Sequence, residues 1–352
     1  MNRRFYLVVY FVLSFVASFS QTAHSIKGQV INGASGAPIA NCSVFINNTS
    51  KGTTTDTTGR FELSNIPDGK YVLIVSSIGY ETYAHPFSGT QLPLELTVTL
   101  KEKATDLSAV TVEPFDPDGW EKWGEKFMDN FIGTKEFAHQ CTIKNKEVIR
   151  LRYSSKKYLL TAVADQPIII ENKALGYTIK YQLEQFSVDF MSGRSVFMGY
   201  PLFTEMHAES KAMELLWEKN REKVYYGSLM HFIRSLYTGQ LQSPNDFIGG
   251  FEVRRQVRRD NPDLTAGDLV TVNADQTKSL FFTGNLFVIY KRKLKIGTES
   301  QRSIISLVTP APVKIEVNGY YDSPLELLIQ EYWAWTEKFA YTLPLDYWPY
   351  AQ

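Results

Sequence analysis

Residues 52–71, GTTTDTTGRFELSNIPDGKY, contain the pattern that decides the fold of the first third of the chain. A threonine-rich strand ends at Asp56, a tight turn closes at Gly59, and residues 60–63 alternate between polar and apolar side chains. The Asp56 carboxylate can accept a hydrogen bond from the backbone two residues later, and Gly59 can adopt a positive φ. Residues 67–69, PDG, give a second turn signal before the next strand. The stretch therefore predicts three short strands joined by tight turns.

The flanking sequence continues this pattern of strands and turns. Further strands are predicted over residues 25–31, 39–47, 71–76, 81–87 and 93–101. Glycine, proline and asparagine separate them, as in NGASGAP at 32–38. Seven short strands at this spacing predict an all-β sandwich over residues 21–104.

Five segments of this region resemble, in order, the carboxypeptidase-regulatory-like domain, which is a transthyretin-like β-sandwich. They are IKGQV from Ile26, SGAPI from Ser35, TDTTGRF from Thr55, IPDGKY from Ile66 and SIGY from Ser77. Residues 107–112, LSAVTV, are similar to the short strand that often follows this domain. The resemblance implies a non-catalytic accessory or interaction module. Such modules stand beside the catalytic domain of some metallocarboxypeptidases and at the N-terminus of many TonB-dependent outer-membrane transporters.

The N-terminus has the pattern of a secretory signal peptide over residues 1–20. Arg3 and Arg4 precede residues 5–19, which are apolar apart from two serines and too short for a membrane span of about 20 residues. Small residues near the cut predict cleavage before Gln21, and the alternative is an uncleaved anchor. Because no cysteine lies near the cut, a lipoprotein is not expected. We expect a periplasmic or secreted protein with no transmembrane segment after cleavage.

The overall charge is balanced, with 37 lysines and arginines against 37 aspartates and glutamates. Such a chain has no long-range attraction to nucleic acid or to an acidic membrane, so either partner would need a local patch. We expect no nucleic-acid partner. None of the five histidines begins an H-x-x-E or H-E-x-x-H pattern, so no zinc site, metal or other cofactor is expected.

The two cysteines, Cys42 and Cys141, each alternate with apolar residues on predicted strands. This pattern favours buried free thiols. The alternatives are a disulfide, which an oxidising compartment permits, and a catalytic thiol.

A linker strand over residues 105–118 and an α+β domain over residues 119–352 are predicted to follow. One helix face is aromatic at i, i+3, i+7 and i+11: Trp120, Trp123, Phe127 and Phe131. A long antiparallel strand starts near Leu175, with alternate residues from Tyr177 facing a dry surface. Stretches beginning at Glu171 and Leu343 are similar to bacterial envelope proteins that carry the regulatory-like domain, and they bring no catalytic residues.

Two amphipathic helices separated near Gly227 are predicted within residues 209–237. Their apolar stripes are Met213, Leu216, Trp217 and Val224, and then Leu229, Phe232, Ile233 and Leu236. The outer face is expected to carry Glu214, Glu218, Arg221 and Glu222. Packing over a sheet is the favoured interpretation, and a partner-binding helix is the alternative.

Two groups of residues are candidate binding sites. The aromatic C-terminus supplies Trp333, Trp335, Asp346, Tyr347 and Trp348, which either anchor the terminus in a core or form a stacking surface for a sugar or peptide. An arginine group consists of Arg254, Arg255, Arg258 and Arg259. It is either a solvated edge strand or an anion-binding site.

No reaction is named by these patterns, because the sequence lacks a G-x-S-x-G motif, a P-loop and a dinucleotide-binding motif. We expect a non-catalytic binding or assembly protein of the cell envelope. Its partner would be an envelope protein or glycan, and a TonB-dependent transporter system is one candidate. The alternative is a glycan or peptide hydrolase with two carboxylates in the C-terminal domain. A purely structural envelope protein is the third interpretation.

Overall fold

A computed structural model describes residues 24–103, 114–243, 245, 248–256, 262–293, 297–322 and 324–349. The predicted signal peptide, the strand at 107–112, Arg258 and Arg259 lie outside these residues. The described part folds around three hydrophobic cores, here called the sandwich, middle and third cores. The fold class is confirmed, since an all-β sandwich precedes a larger α+β region with antiparallel sheets. Among the described helices, none combines the length and apolar character needed to cross a bilayer.

The sandwich is built from seven strands within residues 24–103. They are β1 (Ile26–Asn32), β2 (Ser43–Ile46), β3 (Gly52–Thr54), β4 (Arg60–Leu63), β5 (Lys70–Ser76), β6 (Tyr83–Ser88) and β7 (Leu94–Leu100). One sheet has the order β4-β1-β7 and the other β3-β2-β5-β6. Apolar residues from both sheets, such as Val30, Val44 and Leu73, are fully buried and form the sandwich core. The seven predicted strands are confirmed.

The turn between β3 and β4 has the geometry that the sequence predicts. The Asp56 carboxylate accepts hydrogen bonds from the Thr58 and Arg60 amides at 2.8 and 2.9 Å. Gly59 has a φ of 73°, and a Cβ there would lie 2.6 Å from the Val30 carbonyl oxygen. The Thr58 hydroxyl also donates to the Asp56 carboxylate at 2.7 Å, and the three hydrogen bonds, above all that from the hydroxyl, lower the pKa of Asp56. The residues of this turn therefore have a structural role.

The middle sheet contains the longest strands of the described chain. Its strands are β8 (Cys141–Ile143), β9 (Ile149–Ser154), β10 (Leu159–Ala164), β11 (Ile168–Asn172), β12 (Tyr177–Asp189) and β13 (Arg194–Glu205). β13 pairs along the whole of β12, whose other edge is shared by β11 and β10. Helix α1 (Gly119–Phe131) buries Phe127 and Phe131 in the middle core, while Trp120 and Trp123 are half-buried. The predicted aromatic face is confirmed.

The third core is formed by two further antiparallel sheets and the helices that pack on them. The four-stranded sheet contains β14 (Gly250–Arg255), β17 (Asn285–Lys293), β18 (Thr298–Leu307) and β20 (Leu327–Glu331), and the three-stranded sheet contains β15 (Val270–Val272), β16 (Lys278–Leu280) and β19 (Val313–Ile315). The helices of this half are α2 (Lys211–Tyr225), α3 (Leu229–Thr238), α4 (Ala266–Leu269) and α5 (Tyr332–Thr336). The predicted stripe of α3 is fully buried in the third core. Gly227 separates α2 from α3 with a φ of 90°.

Helix α2 corrects two details of the prediction. Leu216 is 55% exposed, so it does not belong to the buried stripe. Arg221 was expected on the outer face and is buried instead. The reason is polar anchoring: Arg221 and Trp217, four residues apart on the helix, turn toward backbone carbonyls of the β11–β12 connection. That rotation leaves Leu216 facing solvent.

The C-terminal segment contributes to all three cores. Trp333 lies in the third core, Phe339 and Leu343 lie in the middle core, and Leu345 lies in the sandwich core. The interpretation of this terminus as a core anchor is confirmed for Trp333, whereas Trp335 and Trp348 are exposed. Predicted domain boundaries at residues 104 and 118 stay a prediction.

Both cysteines are buried free thiols, as the strand pattern predicts. Burial raises the pKa of the Cys42 thiol and raises that of Cys141 to about 12. A thiol is nucleophilic as the thiolate, which these pKa shifts disfavour.

Candidate functional site

A cleft of about 570 Å³ opens where the sandwich, helix α2 and the C-terminal segment meet. We call it the acidic cleft, because four of the described residues that line it are acids and one is an arginine. Its walls are Ser50, Tyr177, Glu205, Met206, His207, Ala208, Glu214, Trp217, Glu218, Arg221, Pro344, Asp346, Tyr347 and Trp348.

One wall is helix α2, which three side chains fix to the connection between β11 and β12. Trp217 Nε1, Asn220 Nδ2 and Arg221 Nε each donate a hydrogen bond of 2.8 Å to a carbonyl, those of Lys173, Ala174 and Leu175 respectively. Positions i, i+3 and i+4 lie on the same face of a helix, so one face makes all three bonds. These bonds hold helix α2 in one position relative to the β11–β12 connection, so this wall of the cleft is fixed.

Gly176 completes that connection at the base of the helix. Its φ is +68°, and a Cβ there would lie 2.3 Å from a ring carbon of Trp217. Only glycine adopts this backbone conformation without strain while leaving room for the indole.

Arg221 places a fixed cation at the cleft wall. Its guanidinium lies over the Tyr177 ring at 4.0 Å and donates to Glu205 Oε1 at 3.1 Å. The arginine side chain is 10% exposed and the glutamate side chain 63% exposed. The exposed Glu205 carboxylate therefore faces the solvent of the cleft, and the buried Arg221 guanidinium lies beside it.

The other wall is the end of the C-terminal segment, which is bound to the sandwich. The Asp346 carboxylate accepts from the Ser50 amide at 3.0 Å and from the Ser50 hydroxyl at 2.5 Å. The Leu345 amide donates to the Asn48 carbonyl at 2.6 Å. Both contacts involve the turn between β2 and β3, so the sandwich helps to shape the cleft.

Arg234 on helix α3 holds the same segment from the opposite side, with only 3% of its surface exposed. Its Nε and Nη2 donate to the Asn318 carbonyl at 3.0 and 2.9 Å. Its Nη1 and Nη2 donate to the carbonyls of Tyr347 and Leu345 at 3.0 and 3.1 Å. The guanidinium also lies 3.8 Å from the ring centre of Trp348. Burial lowers the pKa of Arg234, and the carbonyl oxygens stabilise its charged form.

The structure brings together three of the predicted ligand-binding residues and separates the other two. Asp346, Tyr347 and Trp348 line the acidic cleft. Trp333 is buried, with its indole N–H donating to the Gly227 carbonyl at 2.8 Å, so the expectation of a stacking surface is wrong for this residue. Trp335 is 57% exposed but does not line the cleft.

The described arginines of the second predicted site have local partners. Arg254 pairs with Asp263 at 2.5 Å and with Glu252 at 3.0 Å. Arg255 donates to the Thr283 carbonyl at 3.2 Å. Both lie on β14, which is an edge strand of its sheet. These contacts favour the solvated-edge interpretation over anion binding.

Sequence reasoning missed the cleft residues outside the C-terminus. Glu214 and Glu218 are four residues apart on one helix face, and Trp217 and Arg221 are four apart beside them. These two pairs on one helix were the feature of the sequence from which this wall of the cleft could have been predicted. Glu205 and His207 had none, because they reach the cleft through the end of β13.

A second, smaller cavity of about 220 Å³ lies near the start of helix α3. Glu337 lines it and accepts a hydrogen bond from the Leu229 amide at 3.0 Å. Burial raises the pKa of Glu337 to about 7. Among the described residues, no cluster of histidine, cysteine and acidic side chains is arranged to hold a metal ion.

Comparison with known proteins identifies the N-terminal region. Residues 26–112 match the CarboxypepD_reg-like domain family, which confirms the resemblance of the sandwich. No curated protein matches the chain. A solved protein of unknown function from Bacteroides fragilis is 12% identical, with 84% of this chain and 94% of that chain covered and a TM-score of 0.19. BcpA, the major pilin subunit of Bacillus cereus, is 10% identical, with 83% and 94% covered and a TM-score of 0.17. Scores this low give no basis for an inference from either structure.

Proposed function

We propose that this protein is a non-catalytic binding protein of the bacterial cell envelope and that its acidic cleft binds a glycan. The observation that carries the proposal is the composition of the cleft: four carboxylates, one guanidinium and the rings of Tyr347 and Trp348 line a single cavity of about 570 Å³. Cavities of roughly 300–1,000 Å³ are typical of small-ligand sites. The regulatory-like sandwich, whose family consists of accessory modules, supports a non-catalytic role.

The carboxylates of the cleft can accept hydrogen bonds from the hydroxyl groups of a glycan. Glu205 already pairs with Arg221, and Glu214 pairs with Lys211 at 2.9 Å. Asp346 accepts hydrogen bonds from Ser50. Carboxylates held in this way remain good acceptors for further hydrogen bonds, because an ionised carboxylate has about four acceptor positions. Pairing with Arg221 and Lys211 also reduces the attraction of Glu205 and Glu214 for a cationic ligand.

Trp348 supplies the apolar surface. One face of the indole lies on the Arg234 guanidinium, and the side chain is 52% exposed. An aromatic face with a polar surround matches the apolar C–H face of a pyranose ring, while the carboxylates match its hydroxyls. The ring is fixed before ligand binding, which lowers the entropic cost of association.

The test is binding of the purified protein to an array of bacterial glycans, followed by calorimetry with the strongest glycan. Trp348→Ala is expected to weaken binding by roughly tenfold or more. Trp335→Ala is the matched control, because Trp335 is 57% exposed and lies outside the cleft. Equal affinity of the native protein and Trp348→Ala, or absence of any glycan ligand, would refute the proposal.

A glycan hydrolase is the second candidate function, because hydrolysis needs two carboxylates and four line this cleft. The matching measurement is release of reducing ends from the glycans of the array. Turnover by the native protein that Glu218→Gln abolishes would establish the hydrolase in place of the binding protein.

A further inference from the structure

Two turns at one end of the middle sheet present large apolar side chains to solvent. The turn between β9 and β10 exposes 49% of Tyr158, and the turn between β12 and β13 exposes 41% of Phe190 and 73% of Met191. The Phe190 amide donates to the Tyr158 carbonyl at 3.0 Å, so the two turns lie side by side. We call these three side chains the apolar tip.

The apolar tip is held outward by ordered contacts. Asp189 Oδ1 accepts from the Met191 and Ser192 amides at 2.8 and 3.2 Å, and the Ser192 hydroxyl donates to Oδ2 at 2.7 Å. The Phe190 ring centre lies 5.8 Å from that of Tyr153. The turn therefore holds Phe190 and Met191 at the end of the sheet, where both side chains are exposed to solvent.

Basic residues surround the tip. Lys156 and Lys157 are exposed in the first turn, and Arg194 is exposed at the first residue of β13, directly after the second turn. Residues 154–158 and 189–194 contain a single acidic residue, Asp189. Its carboxylate accepts the hydrogen bonds of its own turn. The chain as a whole has no net charge, so this end of the sheet is locally positive.

We propose that the apolar tip binds the surface of a lipid bilayer that contains anionic headgroups. The tip consists of two adjacent turns at the ends of neighbouring strands, and its exposed apolar side chains can insert into an interface. Tyrosine, phenylalanine and methionine enter the boundary between headgroups and acyl chains, where aromatic side chains are enriched. Lysine and arginine extend from such a surface toward lipid phosphates.

The position of the tip gives the bound protein an orientation. Tyr177 at the first residue of β12 lines the acidic cleft, and Asp189 at its last residue belongs to the tip turn. A strand of 13 residues spans about 40 Å. Lipid binding at the tip therefore leaves the acidic cleft facing away from the bilayer, and the two sites are independent.

The test is co-sedimentation of the purified protein with vesicles of phosphatidylglycerol and phosphatidylcholine, compared with vesicles of phosphatidylcholine alone. Met191→Ser is expected to weaken binding to the anionic vesicles about tenfold, because it removes one inserted apolar side chain. The double variant Lys156→Gln and Lys157→Gln is expected to weaken it about 25-fold, because each charge near an anionic surface contributes about fivefold. Added salt should weaken native binding further.

Ile78→Ser is the matched control, since Ile78 is also 73% exposed and also lies in a turn, in the sandwich. It should bind vesicles like the native protein. The proposal is overturned if the native protein does not sediment with anionic vesicles, if Met191→Ser binds as tightly as native, or if Ile78→Ser loses as much affinity. Sedimentation velocity adds one more outcome: self-association that Met191→Ser abolishes, without vesicle binding, would make the tip a protein interface and refute the lipid proposal.

Discussion

Replacement of Arg234 by alanine is expected to destabilise the protein more than any exposed arginine substitution. The guanidinium makes four hydrogen bonds to the carbonyls of Asn318, Leu345 and Tyr347 and stacks on Trp348. Each buried carbonyl that loses its donor costs about 1–3 kcal/mol. The desolvation of the arginine charge, which disappears in the variant, offsets part of this loss. We expect the free energy of unfolding to fall by about 3–5 kcal/mol.

The variant Arg234→Lys tests whether the positive charge alone, without the planar guanidinium, stabilises the protein. The ammonium keeps the positive charge but lacks the planar fork of donors, so it cannot serve three carbonyls and stack on the indole together. We expect it to recover less than half of the stability lost in the alanine variant.

The assay is urea unfolding followed by tryptophan fluorescence, with hydrogen exchange of the Leu345 amide as a local probe. That amide donates to the Asn48 carbonyl and reports release of the C-terminal segment from the sandwich. Arg302→Ala is the control, because Arg302 is 55% exposed and its pair with Glu331 should contribute at most about 1 kcal/mol. If Arg234→Ala unfolds within about 1 kcal/mol of the native protein, or if Leu345 keeps its protection, the assigned role of this arginine is wrong.

Two further substitutions test the local arguments. Gly176→Ala is expected to lower the free energy of unfolding by about 2–4 kcal/mol, because of the positive φ and the clash with Trp217. Gly36 has nearly the same φ but lies in open space, so Gly36→Ala should lower it by only about 1 kcal/mol. Equal losses of the two variants in urea unfolding would contradict the clash. Burial raises the pKa of Glu337 from 4.5 to about 7, so the folded state binds more protons than the unfolded state between these values. Stability should therefore fall by about 2–3 kcal/mol as pH rises from 4.5 to 7, and Glu337→Gln should flatten this profile; a variant that keeps the native pH dependence would show that another group is responsible.

The sandwich was predictable because its signals are local. Asp56 and Gly59 specify their turn within five residues, and the strand that follows is predicted from alternation over its four residues. The burial of helix α3 was predictable for the same reason, since its apolar stripe has the helical period along its whole length. Such features depend on neighbours in sequence.

The acidic cleft was not predictable because its walls meet only through the tertiary fold. Ser50 and Asp346 are in contact and 296 positions apart. Helix α2 failed the periodicity rule for a related reason: hydrogen bonds from Trp217 and Arg221 to the β11–β12 connection set its rotation, and not the burial of Leu216. The spacing of the apolar residues alone does not reveal polar anchoring of this kind.

The acidic cleft belongs to no single core, and this has a consequence for ligand binding. The sandwich supplies Ser50, helix α2 supplies Arg221, and the C-terminal segment held by Arg234 supplies Asp346 and Trp348. A ligand that touches all three walls binds only while the C-terminal segment is in place. It must then stabilise that segment by the free energy of its own binding, because linkage requires any ligand specific for one state to favour that state. The glycan proposed for the cleft should therefore slow hydrogen exchange of the Leu345 amide, although that amide is bonded to Asn48 and not to the ligand.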